Sequence, residues 1–179
     1  MFRFVAPQIR HFGTFISLSL STLCIAPSIA PNAALAAVES SNTPPAIAQS
    51  YLYDEMDYLS QSGQRWIEMV LSIQRLSAWE GEYRAYAVIV STGKDETPTP
   101  TGVFSIYAKA AETLMEGEDY QIPDVPYAMF YDGNYAIHGA YWHNAFGIPI
   151  SHGCTNVAVD HAAWLYDWAY VGTPVVVHY

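Results

Sequence analysis

Residues 150–157 read I-S-H-G-C-T-N-V and crowd a hydroxyl, an imidazole and a thiol into one short stretch. Cys154 follows Ser151, His152 and Gly153, and Asn156 stands two positions beyond it. A free thiol is only a few per cent ionised near neutrality, so a cysteine that does chemistry needs a base or a lowered pKa. Glycine lets a loop turn its backbone amides inward, where they can meet a developing oxyanion. The same residues also suit an inert cysteine in a turn beside a surface histidine. The stretch alone leaves both readings open.

The rest of the chain bears on that choice. At 179 residues, 51% of them hydrophobic, it can hold one domain of ordinary size with some extra at an end. Residues 1–36 read as a signal peptide. Arg3 and Arg10 make a basic start, an apolar run follows, and Ala34-Leu35-Ala36 is a small-x-small cleavage pattern. Pro27 and Pro31 interrupt the apolar run, which argues against a retained anchor and predicts no stable membrane span after cleavage. The expectation is an exported protein of the periplasm or cell wall.

Removal of Arg3 and Arg10 takes the formal net charge from −10 to −12. No basic stripe offsets it, so nucleic acid is not an expected partner. Cys24 leaves with the signal, and Cys154 becomes the one cysteine of the mature chain. It has no internal disulfide partner, and a lone thiol in an oxidising compartment is a flag for reactivity.

The elements that must position this thiol are mostly strands. Residues 37–62, polar around the patch Tyr51–Leu59, read as a linker with one turn of helix near Tyr51–Tyr58. From residue 63 to 179, short alternating runs separated by turn residues predict antiparallel strands in a mainly β domain, a sandwich or small barrel. Lys109–Pro126 reads as a long polar loop of the kind that serves as a lid or binding loop. Tyr127–Tyr131, Asp132-Gly133 and Asn134–His138 form a hairpin pattern that delivers His138 at a strand end. One short C-terminal helix is predicted over His161–Ala169, with Asp160 as N-cap and Leu165, Trp168 and Ala169 turned inward. Pro174–His178 closes the chain as a strand.

His138-Gly139 followed by Ser151-His152-Gly153-Cys154-Thr155-Asn156 resembles the L,D-transpeptidase catalytic domain (YkuD-like) family. Ser91-Thr92-Gly93-Lys94, Thr97–Gly102, Tyr135–Gly139 and Ala163–Tyr166 are also similar to that family, so the likeness covers residues 63–179. The resemblance implies a β-rich cysteine acyltransferase that works without a cofactor or metal. Such an enzyme forms a thioester at the third residue of a peptidoglycan tetrapeptide stem, releases D-Ala, and passes the acyl group to an amine. Carbapenem-type β-lactams are the implied inhibitors. Asn156 stands where many relatives carry Arg, which removes a guanidinium from any contact to a substrate carboxylate.

On that pattern Cys154 is the expected nucleophile and His138 its base, with the carbonyl of Gly139 orienting the imidazole. His152 takes a supporting role, and the amides of Gly153 and Cys154 are the expected oxyanion donors. Ser151 braces the loop. Asn156 and Trp142 are candidates for substrate contact, while His143 is undecided. Two alternatives remain open. A wall-cleaving cysteine peptidase would place its Cys before its His. The other is a metal-binding or non-catalytic wall-binding module. A metal would recruit His138, His143, His152, Cys154 and His161, although His152-x-Cys154 is tighter than usual ligand spacing. A non-catalytic wall binder leaves the unpaired thiol unexplained.

Overall fold

The run Pro174-Val175-Val176-Val177 has no polar face, and the fold explains why: its strand is covered on both sides. The computed structural model describes residues 46–117 and 119–179. Helix α1 spans Ala46–Ser62, followed by β1 (Arg65–Val70), β2 (Arg75–Glu80), β3 (Tyr83–Ile89), β4 (Gly102–Ser105), β5 (Ala108–Glu116), β6 (Gln121–Asp132), β7 (Tyr135–Gly139) and β8 (Thr155–Val157). Helix α2 (Val159–Trp168) and β9 (Pro174–His178) complete the domain. One sheet has the order β3-β2-β1-β9-β4 and the other β5-β6-β7-β8, so the strands form two open sheets.

Ile67, Met69, Val175 and Val177 point into a core shared with Met129, Tyr131, Ile137 and Val157 of the second sheet and with Leu165 of α2. One position out of phase, Trp66 and Val176 point the other way and meet Leu52 and Leu59 of α1. Residues 46–62 are therefore a packed helix, which corrects the expected linker with a single turn. Leu52, Met56 and Leu59 recur at helical spacing along an otherwise polar stretch. Burying each leucine contributes about 1.5–3 kcal/mol, enough to fix a helix that composition alone marks as a spacer. The expected signal peptide, residues 1–36, lies outside the described residues.

The expected lid loop is also regular structure. Lys109–Pro126 belongs to the long hairpin β5–β6, paired antiparallel from Ala108↔Phe130 to Glu116↔Gln121. Its polar side chains read as a loop, and β7 pairs only with Met129–Asp132. The proline-bearing part of β6 therefore has an open side, where a missing N–H costs no ladder bond.

Two pairings depart from the expected antiparallel pattern: β1 runs parallel to β9, and β7 runs parallel to β8. Parallel neighbours need a crossover of a dozen or more residues. Ala140–Cys154 is that crossover, so the spacing between His138 and Cys154 is a requirement of the topology. In α2 the N-cap is Ala158, without a side-chain bond, and Asp160 lies inside the first turn. This corrects the expected Asp160 cap: there the carboxylate complements the helix dipole without capping it. The C-terminal carbonyls of α2 are met by cations from other elements, Lys109 Nζ on Tyr166 O (2.5 Å) and Ala169 O (2.6 Å), and Arg65 Nη1 on Trp168 O (2.8 Å).

Candidate active site

The loop that carries Cys154 is held by hydroxyls. Ser151 Oγ accepts the N–H of Gly153 (3.0 Å) and donates to the carbonyl of Cys154 (2.5 Å), closing a tight turn. Thr99 Oγ1 donates to the Gly153 carbonyl (2.7 Å) and accepts the N–H of Gly93 (2.9 Å). Thr97 Oγ1 donates to the Ser151 carbonyl (3.0 Å), and the amides of Ile150 and Ser151 both donate to Thr92 O (3.0 Å each). Buried Gln74 fixes Thr92 in turn, accepting its N–H at 2.8 Å and donating to its hydroxyl at 2.6 Å.

Gly153 has φ +114°, and a Cβ there would lie 2.3 Å from the Tyr135 ring. The hydroxyl-rich run Thr97–Thr101 thus serves as the scaffold of the nucleophile turn.

His138 is 2% exposed at the end of β7 and lies in register with Asn156 of β8. Paired residues of neighbouring strands share a face, so the two side chains stand side by side. The Nδ1–H of His138 donates to the Gly139 carbonyl (3.1 Å), which leaves Nε2 as the basic nitrogen. Burial pushes the imidazole pKa down to about 4, only partly countered by that carbonyl, and the ring is neutral at neutral pH. Trp142 stacks on it with centroids 5.7 Å apart. Partly buried Cys154 directs its thiol at Asn134 O (3.6 Å). Burial raises the thiol's pKa, with a backbone contact at Ala136 acting the other way. The resting pair is therefore neutral thiol and neutral imidazole.

Cys154, His138, His152, Ser151, Asn156 and Trp142 line one cavity of about 250 Å3. Cys154 also lines a second cavity of about 310 Å3, with Glu116, Phe130 and Asn134. Met115 and Tyr120 of the β5–β6 hairpin border both. The tip of that hairpin meets the nucleophile loop: Tyr120 stacks on His152 (4.6 Å), and His152 Nε2 lies 3.5 Å from the Asp119 carboxylate. Burial raises the Tyr120 hydroxyl pKa, as does negative charge at Cys154 and Asp119. His152 is thus a contact point for the hairpin.

One expected role changes. The Gly153 amide is occupied by Ser151 Oγ, so it is not a free oxyanion donor. The Cys154 amide makes no hydrogen bond among the described residues. Tyr120, Met115 and Ile122 are cavity residues that sequence reasoning missed, because nothing in a polar stretch with two prolines says which side chain will reach the thiol. His143 also lines the first cavity, bonded to Asn156. His161 bonds Tyr86 (2.6 Å) and His178 bonds Glu68 (3.2 Å), both outside the cavity. Among the described residues no three His, Cys, Asp or Glu side chains converge as a metal site would require.

Known proteins are similar to this chain in sequence and fold. The "Probable L,D-transpeptidase 3" of Mycobacterium tuberculosis is 31% identical over 99 residues, covering 49% of this chain and 36% of that protein. L,D-transpeptidase 1 of the same species is 35% identical over 100 residues, covering 49% and 39%. The match thus spans well under half the length of these curated relatives. Among solved structures, an L,D-transpeptidase from Mycobacterium smegmatis superposes with a TM-score of 0.61 at 27% identity, over 65% of this chain and 59% of that one. The catalytic domain of the Enterococcus faecium L,D-transpeptidase gives 0.59 at 29% identity, over 65% of this chain and 98% of that one. The family match itself covers residues 64–177, from the start of β1 into β9, and encloses His138 and Cys154 together: this chain belongs to the L,D-transpeptidase catalytic domain family, YkuD.

Proposed function

We propose that the protein is a peptidoglycan L,D-transpeptidase acting in the cell wall after export, with Cys154 as nucleophile and His138 as its base. The observation that carries this reading is the His138 ring: tied at Nδ1 to Gly139 O, it shares a cavity with the thiol and keeps Nε2 basic. As a stem enters, Nε2 takes the thiol proton while sulfur attacks the carbonyl of stem residue three. The free Cys154 amide is available to the oxyanion. Protonated His138 then gives its proton to the leaving D-Ala amine, and a thioester remains. An acceptor amine attacks that thioester, His138 removes the amine's proton, and the departing sulfur recovers it as thiol.

Two cavities meeting at Cys154 suit a reaction with separate donor and acceptor substrates. Relatives have been solved with imipenem and as an avibactam carbamoyl enzyme, so β-lactam acylation of Cys154 is part of the proposal. No helix among the described residues is long and apolar enough to cross a membrane.

The test is incubation with a disaccharide-tetrapeptide and several amine acceptors, read by mass spectrometry. D-Ala release with a dimer joined through third residues supports the reading. Stem shortening without any cross-link redirects it to a peptidase, and no product at all overturns it.

A further inference from the structure

His143 and Asn156 belong to a closed hydrogen-bond circuit outside the Cys–His pair. Asn156 exchanges both backbone bonds with Ser91, N to O at 2.8 Å and O to N at 2.9 Å. Ser91 Oγ donates to the carbonyl of Ala145 (2.8 Å), and the amide of Ala145 donates to His143 Nδ1 (3.1 Å). The circuit closes where His143 Nε2 meets the Asn156 side-chain amide at 2.9 Å. Asn156 is 4% exposed with its backbone held on both sides, so the free choice left to it is which end of its amide faces which neighbour.

Proton counting settles that choice. His143 Nδ1 accepts a hydrogen bond and carries no hydrogen, so the neutral ring carries its hydrogen on Nε2. Burial lowers the pKa of His143, in keeping with the neutral form. An Nε2–H must meet an acceptor, and a second N–H group at 2.9 Å would set two donors against each other. The amide oxygen of Asn156 therefore faces His143. The NH2 end then turns to the other side, toward the cavity that Asn156 shares with its register partner His138 and with Cys154.

We infer that His143 is a positioning residue: it locks the Asn156 amide so that its NH2 group is presented as a hydrogen-bond donor to an acyl or carboxylate oxygen of the substrate beside Cys154. This rests on the transpeptidase reading for the identity of the substrate, but not for the orientation of the amide. The substrate group served is an oxygen acceptor, because an NH2 end offers nothing to a donor.

The test has two arms. Long-range 1H–15N correlation on uniformly labelled protein reports the tautomer of His143 without turnover. An Nε2–H tautomer is expected, and an Nδ1–H tautomer overturns the inference. The second arm measures the rate of Cys154 acylation by imipenem. His143→Ala and Asn156→Asp should each slow it on the order of tenfold, the size of one lost hydrogen bond to a charged or developing charge. Asn156→Asp keeps an acceptor for His143 but removes the NH2. His143→Gln, whose amide N–H can stand near the Nε2–H position, should recover most of the rate, whereas His143→Leu should not. His143→Ala should add nothing in an Asn156→Ala background, and full additivity of the two overturns the inference. If wild type reacts with neither imipenem nor a stem, the transpeptidase reading fails while the tautomer result still decides the orientation.

Discussion

His138 and Asn156 are register partners across the parallel pair β7–β8, and Cys154 immediately precedes β8, two residues before Asn156. The base is thereby placed by backbone pairing and the nucleophile by its position next to the paired strand, with the connection Ala140–Gly153 left to form the cavity rim. Of that rim, Trp142 shields His138 and His143 holds Asn156. A shift of β8 by one residue would turn Asn156 away from His138 and carry Cys154 with it.

The first prediction concerns pH. Because burial holds His138 near pKa 4, its ring stays a competent base well below neutrality. Acylation of Cys154 by a carbapenem should be nearly flat from about pH 5 to 8 and fall at lower pH with an apparent pKa near 4. A midpoint near the ordinary histidine value would place the ring in a different environment. The stability consequence has a definite sign. The folded-state pKa is depressed, so the unfolded chain binds more protons between the ordinary 6.5 and about 4. Stability from this group is complete above 6.5 and is lost as pH falls toward 4, by about 3 kcal/mol in denaturant titrations.

A second prediction isolates the scaffold of the nucleophile turn. Thr99 is 3% exposed, and its hydroxyl joins Gly93 N to Gly153 O. Thr99→Val keeps the shape and leaves both backbone groups without that partner. It should cost about 1–3 kcal/mol in urea unfolding and slow acylation, because the loop that aims the thiol loosens. Unchanged stability would mean that water replaces the hydroxyl there. Thr99→Ser retains the bond and should stay close to wild type in both measurements.

Much of this site is legible in the sequence as residue types, and less of it as contacts. The β6–β7 hairpin is readable because Asp132-Gly133 separates two apolar runs, and Gly133 does take a positive φ of 46°. Leu165, Trp168 and Ala169 are buried, as their helical spacing predicts. Helix α1 escapes because its apolar positions are few and matter only against Trp66 and Val176, distant in sequence. The β5–β6 hairpin escapes because a long polar stretch reads as a loop until its strand partner is known. Parallel pairing of β7 with β8 has no local signal, so the reason for the His138–Cys154 spacing appears only in the fold. The Gly153 amide could not be assigned without seeing where the Ser151 hydroxyl points.

A third prediction addresses the neighbouring strands β1 and β9 inside the first sheet, where His178 Nε2 meets Glu68 Oε1 at 3.2 Å with both side chains mostly buried. The hydrogen bond to Glu68 raises the His178 pKa against burial. Burial alone would raise the Glu68 carboxyl, but hydrogen bonds from His178 and Trp79 bring it below its ordinary value. The raised His stabilises at low pH, and its contribution is lost as pH climbs through its folded-state pKa. The lowered Glu stabilises at high pH, and its contribution is lost as pH falls through its own. The pair therefore contributes most between the two ordinary values, about 4.3 and 6.5. Glu68→Gln should lower stability by about 1 kcal/mol near pH 5.5 and by less at pH 8, measured by thermal unfolding across that range.

The last prediction separates the two contacts at the hairpin tip. Asp119 and His152 are substantially exposed and lie 3.5 Å apart, so their attraction is screened and worth little. Asp119→Asn should change acylation by less than about twofold, a difference well under 1 kcal/mol. Tyr120 contributes differently, since its ring stacks on His152 and borders both cavities at Cys154. Tyr120→Ala merges those cavities and removes one wall from each substrate. It should raise KM for donor and acceptor alike and reduce kcat, since both substrates lose alignment with the thiol. Steady-state kinetics with the acceptor varied at fixed donor, then the reverse, measures this directly. Equal behaviour of Asp119→Asn and Tyr120→Ala would locate the hairpin's role in the ion pair. A large effect of Tyr120→Ala alone locates it in the ring, and Tyr120→Phe should then resemble wild type in KM, because the stacked face is kept while only the hydroxyl is lost.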